Sequence, residues 1–258
     1  MTAAPMTAPS PIRPDLHGEV LRLLTEIERL QITVRLIGGM AIRLLAGERL
    51  HPAYQRSIQD LDFVLAKRDR RDFEALLVEA GYIPRQDFNA LYGVRRLLFD
   101  DPVHGRQIDV FVESFSMCHA LPLANRIDTL PHTLPPAEIL MTKLQIVELN
   151  EKDRGDLFAL LHSLDVTIDD PRGIELGPIV ELTSGDWGLQ HTFELNVARL
   201  RDALPDQPFS PDEAKTVTAR IESLATAMDN APKSRKWKLR AKVGERKVWY
   251  DDPEEVER

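Results

Sequence analysis

The sequence predicts an α/β (α+β) chain: a mixed β-sheet of about four strands with flanking helices, followed by a helical C-terminal half. Three observations predict it. Up to about residue 115, short apolar runs bounded by turn residues alternate with segments of helical spacing. Two of those runs, "VRRLLFDD" and "QIDVFVES", flank "PVHGR" and read as an antiparallel hairpin. From residue 134 onward the pattern is mostly helical.

The elements follow in order. "MTAAPMTAPSPIRP" is rich in Pro and Ala and lacks the apolar centre of a secretory signal, so residues 1–14 read as a disordered leader. Residues 15–31 carry apolar side chains at 20, 21, 23, 24, 27 and 30, a helical period. "VRLIGG" is a short buried strand ending in a Gly38-Gly39 turn, and "MAIRLLAGER" continues as a helix. "LDFVLA" is a second strand and "RRDFEALLVEAGY" the helix after it. Beyond the hairpin, helices are expected over 135–150, 153–164, 187–204 and 211–229, the last opened by Pro211 with Asp212 and Glu213. A boundary around "TLPHTLPP" separates a unit over 15–130 from a helical unit over 131–230, with a tail over 231–258.

Composition narrows the class. With 258 residues, 43% of them apolar and 29% charged, the chain has the length and content for a globular core. No apolar run approaches the roughly 18 residues of a membrane helix, so no membrane partner is expected. The single cysteine, Cys118, excludes an intrachain disulfide, fits a reducing cytoplasm and reads as a small buried hydrophobe. The net charge of −8 is unevenly spread: residues 233–247 carry eight Lys or Arg against one Glu, leaving about −15 on the rest.

"QRSIQDLDFVL" places Asp60 and Asp62 one residue apart at an apolar strand. Alternation puts both on one face, roughly 6 to 7 Å apart at Cα. Carboxylates so placed repel unless a cation sits between them, and Mg²⁺ takes such oxygen ligands while holding a phosphate on its open side. A third acid, Asp109, stands in "QIDVFV"; if that strand neighbours 61–66, three acids converge, as two-metal phosphoryl chemistry requires. The alternative is a pair of solvated strand-end acids. An EF-hand loop is excluded, because Val64 occupies the third ligand position. Upstream, the Gly38-Gly39 turn lets backbone N–H groups approach a phosphate, though it also suits an ordinary strand-to-helix turn. Neither G-x-x-x-x-G-K-[ST] nor G-x-G-x-x-G occurs.

The stretch "LIGGMAIRLLAGERLHPAYQRSIQDLDFVL" resembles the core signature of the nucleotidyltransferase superfamily. That signature has a Gly-Gly turn opening a helix, then Arg-x-Ser, then Asp-x-Asp, then a later strand aspartate. Gly38, Gly39, Arg56, Ser57, Asp60, Asp62 and Asp109 follow that order within about residues 30 to 115, with Arg56 and Ser57 adjacent where the signature has one residue between them. The resemblance implies a nucleotidyltransferase-type catalytic domain. Asp60, Asp62 and Asp109 would hold two Mg²⁺ ions on an NTP, while Gly38, Gly39, Arg56 and Ser57 would bind the nucleotide.

In the helical half, Lys143 lies within an apolar row between Ile139 and Val147. It either snorkels to solvent or reaches into a cleft. Asp153 is an N-cap or first-turn acid, and Asp156 shares the face of Leu160. The pattern "K…KDRGDL" is similar to the abortive-infection AbiEii-type toxins and related bacterial nucleotidyltransferases. That similarity implies phosphate contact by Lys143 and a catalytic role on the acceptor side for Asp153 or Asp156.

"APKSRKWKLRAKVGERKVWY" interleaves Trp237, Trp249 and Tyr250 with cations. Such a tail either tracks an RNA backbone or packs its aromatics on the acidic body. Histidines 104, 119, 132, 162 and 191 show no metal spacing. The expected activity is NMP transfer from an NTP to a hydroxyl acceptor. A toxin-like enzyme would modify tRNA or a protein and pair with an antitoxin. The alternatives are a small-molecule, aminoglycoside-type adenylyltransferase, which the acidic body suits, and a non-catalytic nucleotide- or RNA-binding module.

Overall fold

A computed structural model describes residues 11–252. Most of the expected leader, 1–10, lies outside the described residues, as does 253–258. Residues 11–14 lead into α1 (Leu16–Leu30), with Ile12 buried in the core and the Arg13 N–H donating to Glu19 at 3.0 Å. Asp15 caps α1, its carboxylate accepting from the Gly18 N–H at 2.7 Å.

The sheet has five strands where about four are expected: β1 (Val34–Ile37), β2 (Leu61–Leu65), β3 (Ile83–Pro84), β4 (Arg96–Asp100) and β5 (Gln107–Val112). The addition is the two-residue β3, too short to show a period. The spatial order is β1-β2-β5-β4-β3, with β2 and β5 parallel and every other pair antiparallel. β4 and β5 form the expected hairpin. Besides α1, three helices belong to this half: α2 (Gly38–Ala46), α3 (Arg70–Glu79) and α4 (Gln86–Tyr92). Alternation sends Phe63, Val110 and Leu97, which pair across β2, β5 and β4, to one face. There Phe63 meets Phe73 of α3 edge to face, ring centroids 5.5 Å apart. Asp62, Asp109 and Arg96 therefore share the other face.

After a small hairpin of β6 (Ser114–Ser116) and β7 (Ala120–Pro122), the chain is mostly helical: α5 (Pro136–Leu144), α6 (Glu151–Ser163), α7 (Leu176–Gly185), α8 (Trp187–Ala203), α9 (Pro211–Asn230) and α10 (Arg235–Val243). A minimal parallel pair, β8 (Val166–Thr167) with β9 (Ile174–Glu175), precedes α7. The mixed sheet with helices and the helical C-terminal part are as the sequence predicts.

Two boundaries and one helix differ for identifiable reasons. The helix expected over 135–150 ends at Leu144, because Asn196 of α8 donates to the Leu144 and Ile146 carbonyls at 2.8 and 2.7 Å. Asn150 then caps α6 through the Asp153 N–H at 2.8 Å, so α6 starts two residues early. Helix α7 was not expected, since "LGPIVELTSG" carries Gly177 and Pro178; the proline falls in the first turn, where helices tolerate it. Around residue 130 the chain is stitched to β1: the Leu36 N–H donates to the His132 carbonyl and the Leu134 N–H to the Leu36 carbonyl. One hydrophobic core runs from Ile12 through the sheet to Met228. No helix among the described residues is long and apolar enough to cross a membrane.

Candidate active site

The site begins where β1 ends. Ile37 pairs with Asp62 across the antiparallel β1–β2 ladder, and the chain then turns into α2 at Gly38 with φ +66°. A side chain there would be strained in the left-handed region. It would also collide: a Cβ on Gly38 would sit 2.0 Å from Asp62 Oδ2. The carboxylate fills the space the glycine leaves, beside the first turn of α2. At Gly39 a Cβ would lie 2.7 Å from Nη2 of Arg56, so this glycine makes room for a guanidinium. The pair thus does more than turn the chain.

Asp62 and Asp109 stand in register on the adjacent parallel strands β2 and β5, which run about 4.8 Å apart. Burial, reinforced by Asp109 and by Asp60, pushes the Asp62 carboxyl up to about 7, with Lys143 and Lys152 pulling the other way. Burial likewise raises Asp109, against a bidentate pair from Arg96: Nε to Oδ1 at 2.9 Å and Nη2 to Oδ2 at 2.5 Å. Asp60 precedes β2 and accepts from the Gln107 N–H at 3.3 Å. It borders an open cleft of about 690 Å³ shared with Ile58, Arg85 and Asp100. All three predicted acids therefore lie toward one end of the sheet. Among the described residues, however, no three acidic, His or Cys side chains form a cluster ready to hold a metal.

A second group joins α5 and α6 to this corner. Lys143 Nζ lies 2.7 Å from Asp153 Oδ1 and 3.0 Å from Asp156 Oδ2. Arg56 clamps Asp156 from the other side, Nε to Oδ1 and Nη2 to Oδ2 both at 3.0 Å. Burial alone would lower Lys143, but Asp156 and Asp153 hold it above the usual lysine value. Burial alone would raise Asp156, but Lys143 and Arg56 hold it below the usual carboxylate value. Lys143 is thus turned inward, not snorkelling. Asp153 lies in the first turn of α6 behind the Asn150 cap. The structure gives both helical acids to cations, not to an open acceptor side. Ser57 is exposed on the segment between Arg56 and β2.

Arg96 is the residue sequence reasoning missed. Its signal was faint: in a hairpin, every second residue of "RLLFD" shares the face of Asp109. Beyond Arg96 a second cleft of about 490 Å³ opens, walled by Tyr92, Val94, Phe111 and Met117, with Asp251 and Asp252 at its rim.

The tail packs its aromatics. Trp237 donates its indole N–H to Gln190 at 3.0 Å, and Trp249 donates to Thr192 at 3.1 Å. The guanidinium of Arg240 lies 4.8 Å from the Trp187 ring centroid, and the Asp251 N–H reaches the Cys118 carbonyl at 2.9 Å. Arg235, Lys236, Lys238, Lys242, Arg246 and Lys247 remain exposed. Cys118 is free and buried.

No protein-family model matches the sequence, and no curated protein matches it. Among solved structures, a lincosamide antibiotic adenylyltransferase, LnuA, with lincomycin bound, is similar at a TM-score of 0.41 and 16% identity. The match covers 57% of this chain and 96% of that one. At that level the likeness settles neither substrate nor chemistry, and the side chains of this chain carry the functional reading.

Proposed function

We propose that this chain is a nucleotidyltransferase that moves NMP from an NTP to a hydroxyl acceptor. One observation carries the reading: the Asp62 carboxylate is seated against Gly38 at the start of a helix, in register with a buried carboxylate, Asp109. Neighbouring acids beside helix N–H groups suit a cation–phosphate ligand.

A divalent ion on Asp60 and Asp62 suits this donor set, since a cation there would offset the burial, and the repulsion from Asp109 and Asp60 that adds to it, which lift Asp62 toward neutrality. A Mg²⁺ bound there would neutralise the triphosphate and polarise its α-phosphorus. The first N–H groups of α2 at Gly38 and Gly39, the Ser57 hydroxyl, and the charges of Arg56 and Lys143 would hold the phosphates. Asp153 and Asp156 act in this scheme by positioning those two cations. The acceptor oxygen attacks the α-phosphorus in line, the bond to the bridging oxygen breaks, and pyrophosphate leaves. The hydroxyl proton passes to Asp109, a carboxylate that burial makes more basic than usual. Positioning and charge neutralisation supply most of the acceleration.

The finer reading is toxin-like, of the AbiEii kind, in the cytoplasm, with tRNA or a protein as acceptor and an antitoxin as partner. The exposed cations over 235–247 support an RNA acceptor by phosphate contact alone, since the tryptophans are engaged. A small-molecule acceptor is the second reading, favoured by the 490 Å³ cleft whose apolar wall faces two carboxylates.

Incubation of the chain with each α-labelled NTP, Mg²⁺ and total RNA, protein or small-molecule extract tests these readings. Label on RNA, on protein or on a small molecule names the acceptor class. Asp62→Ala should abolish transfer; full transfer by that variant would end the proposal, and absence of label in every extract would favour the non-catalytic module.

A further inference from the structure

Asp109 is the carboxylate that a two-ion site would require as its third ligand, yet both of its oxygens already face a cation. Arg96 donates Nε to Oδ1 at 2.9 Å and Nη2 to Oδ2 at 2.5 Å. The arrangement is built, not incidental. β4 pairs Leu98 with Asp109 and Arg96 with Phe111, so Arg96 rises from the same sheet face one pleat along. Its guanidinium lies 5.1 Å from the Phe111 ring centroid and 5.9 Å from that of Phe88, within cation–π range of both. Two rings and a fork-to-fork pair fix its position.

We infer that Arg96 permanently takes the place of a second divalent cation, leaving a single metal ion to be held by Asp60 and Asp62. The inference rests on the nucleotidyltransferase reading and specifies its metal stoichiometry. Asp62 and Asp109 are lateral neighbours, so a positive charge on Asp109 already offsets half of the carboxylate pair. Displacing it would strand a guanidinium that is 15% exposed and break a buried pair whose acid is 12% exposed. Removing one partner of such a pair leaves an uncompensated charge. A planar fork matches a carboxylate better than a hydrated ion that surrenders water reluctantly. Asp109 is then a positioned base beside the acceptor cleft, whose inner end Arg96 itself lines.

Manganese replaces magnesium as the spectroscopic probe. The full chain is titrated with Mn²⁺ in the presence of non-hydrolysable α,β-methylene NTP analogues, and bound ions are counted by electron paramagnetic resonance. The wild-type chain should bind one Mn²⁺ without spin coupling. Arg96→Ala should admit a second, spin-coupled ion, while Arg96→Lys, which keeps the charge, should stay at one. Should Arg96→Ala fail to fold, Asp109→Asn in its place should leave the affinity for the single ion within about twofold. Loss of a true ligand would weaken it by at least about tenfold. Two coupled ions in the wild type, or one in Arg96→Ala, would overturn the inference and leave nucleotidyl transfer standing. No bound Mn²⁺ at all would overturn both.

Discussion

Substituting Gly38 by alanine perturbs the corner in two separable ways. The backbone there has φ +66°, and a non-glycine residue in the left-handed region costs about 1–2 kcal/mol. At about 2–4 °C per kcal/mol for a chain of this size, the melting temperature should fall by about 2–8 °C. The methyl would also stand 2.0 Å from Asp62 Oδ2. To reach ordinary van der Waals contact that oxygen must retreat by roughly 1.4 Å, and a displacement of about 1 Å in a reacting constellation costs about a hundredfold in rate. Gly47→Ala is the control without a collision: its φ is +52° and its ψ −131°, so it too is strained, but nothing lies within 4 Å of the added methyl. Both variants are compared by thermal melting and by transfer from α-labelled NTP. Both should lose stability, with activity falling about a hundredfold only at Gly38. Full activity in Gly38→Ala, or equal losses in both, would refute the close packing of Asp62 on the glycine as the source of the effect.

Three further outcomes follow from the geometry. Lys143→Met leaves Asp153 and Asp156 buried beside a missing charge and should cost about 3–5 kcal/mol in urea denaturation, of which Lys143→Met with Asp153→Asn recovers part. Burial, partly countered by Asp186 and Asp251, lowers His119 below its usual value while its Nε2 contacts Thr192 Oγ1 at 2.8 Å. The unfolded chain then binds the extra proton, so stability should fall as pH drops below about 6.5, and His119→Gln should flatten that part of the curve relative to wild type. Lys236→Ala and Lys238→Ala should leave the melting temperature unchanged. Each should also reduce the salt dependence of RNA binding by about one ion if RNA is the acceptor; an unchanged slope would remove these cations from any RNA contact.

The parts of the site within reach of local rules were legible in the sequence. A glycine pair closing a buried strand, two acids at a spacing of two, and an acid in the middle of a later strand all declare themselves through period and turn chemistry. The pairing that makes Asp62 and Asp109 neighbours is long-range, and could be stated only as a condition; the register supplies it. Arg96 gave only a faint signal because its importance depends on which hairpin residue faces which. Lys143, Asp153 and Asp156 could be named but not assigned, since what each touches depends on how α5 packs against α6 and on the space Gly39 leaves for Arg56. The tail offered equal grounds for stacking on bases or packing on the body. Its tryptophans found partners on α8, a choice set by residues some 50 positions away in the chain.

The most direct measurement is a crystal structure of the chain with Mg²⁺ and a non-hydrolysable NTP analogue. The triphosphate should lie across the first turn of α2, an ion should bridge it to Asp60 and Asp62, and the α-phosphorus should face Asp109. A nucleotide bound elsewhere, or carboxylates at residues 60 and 62 without an ion between them and the phosphates, would contradict the assignment.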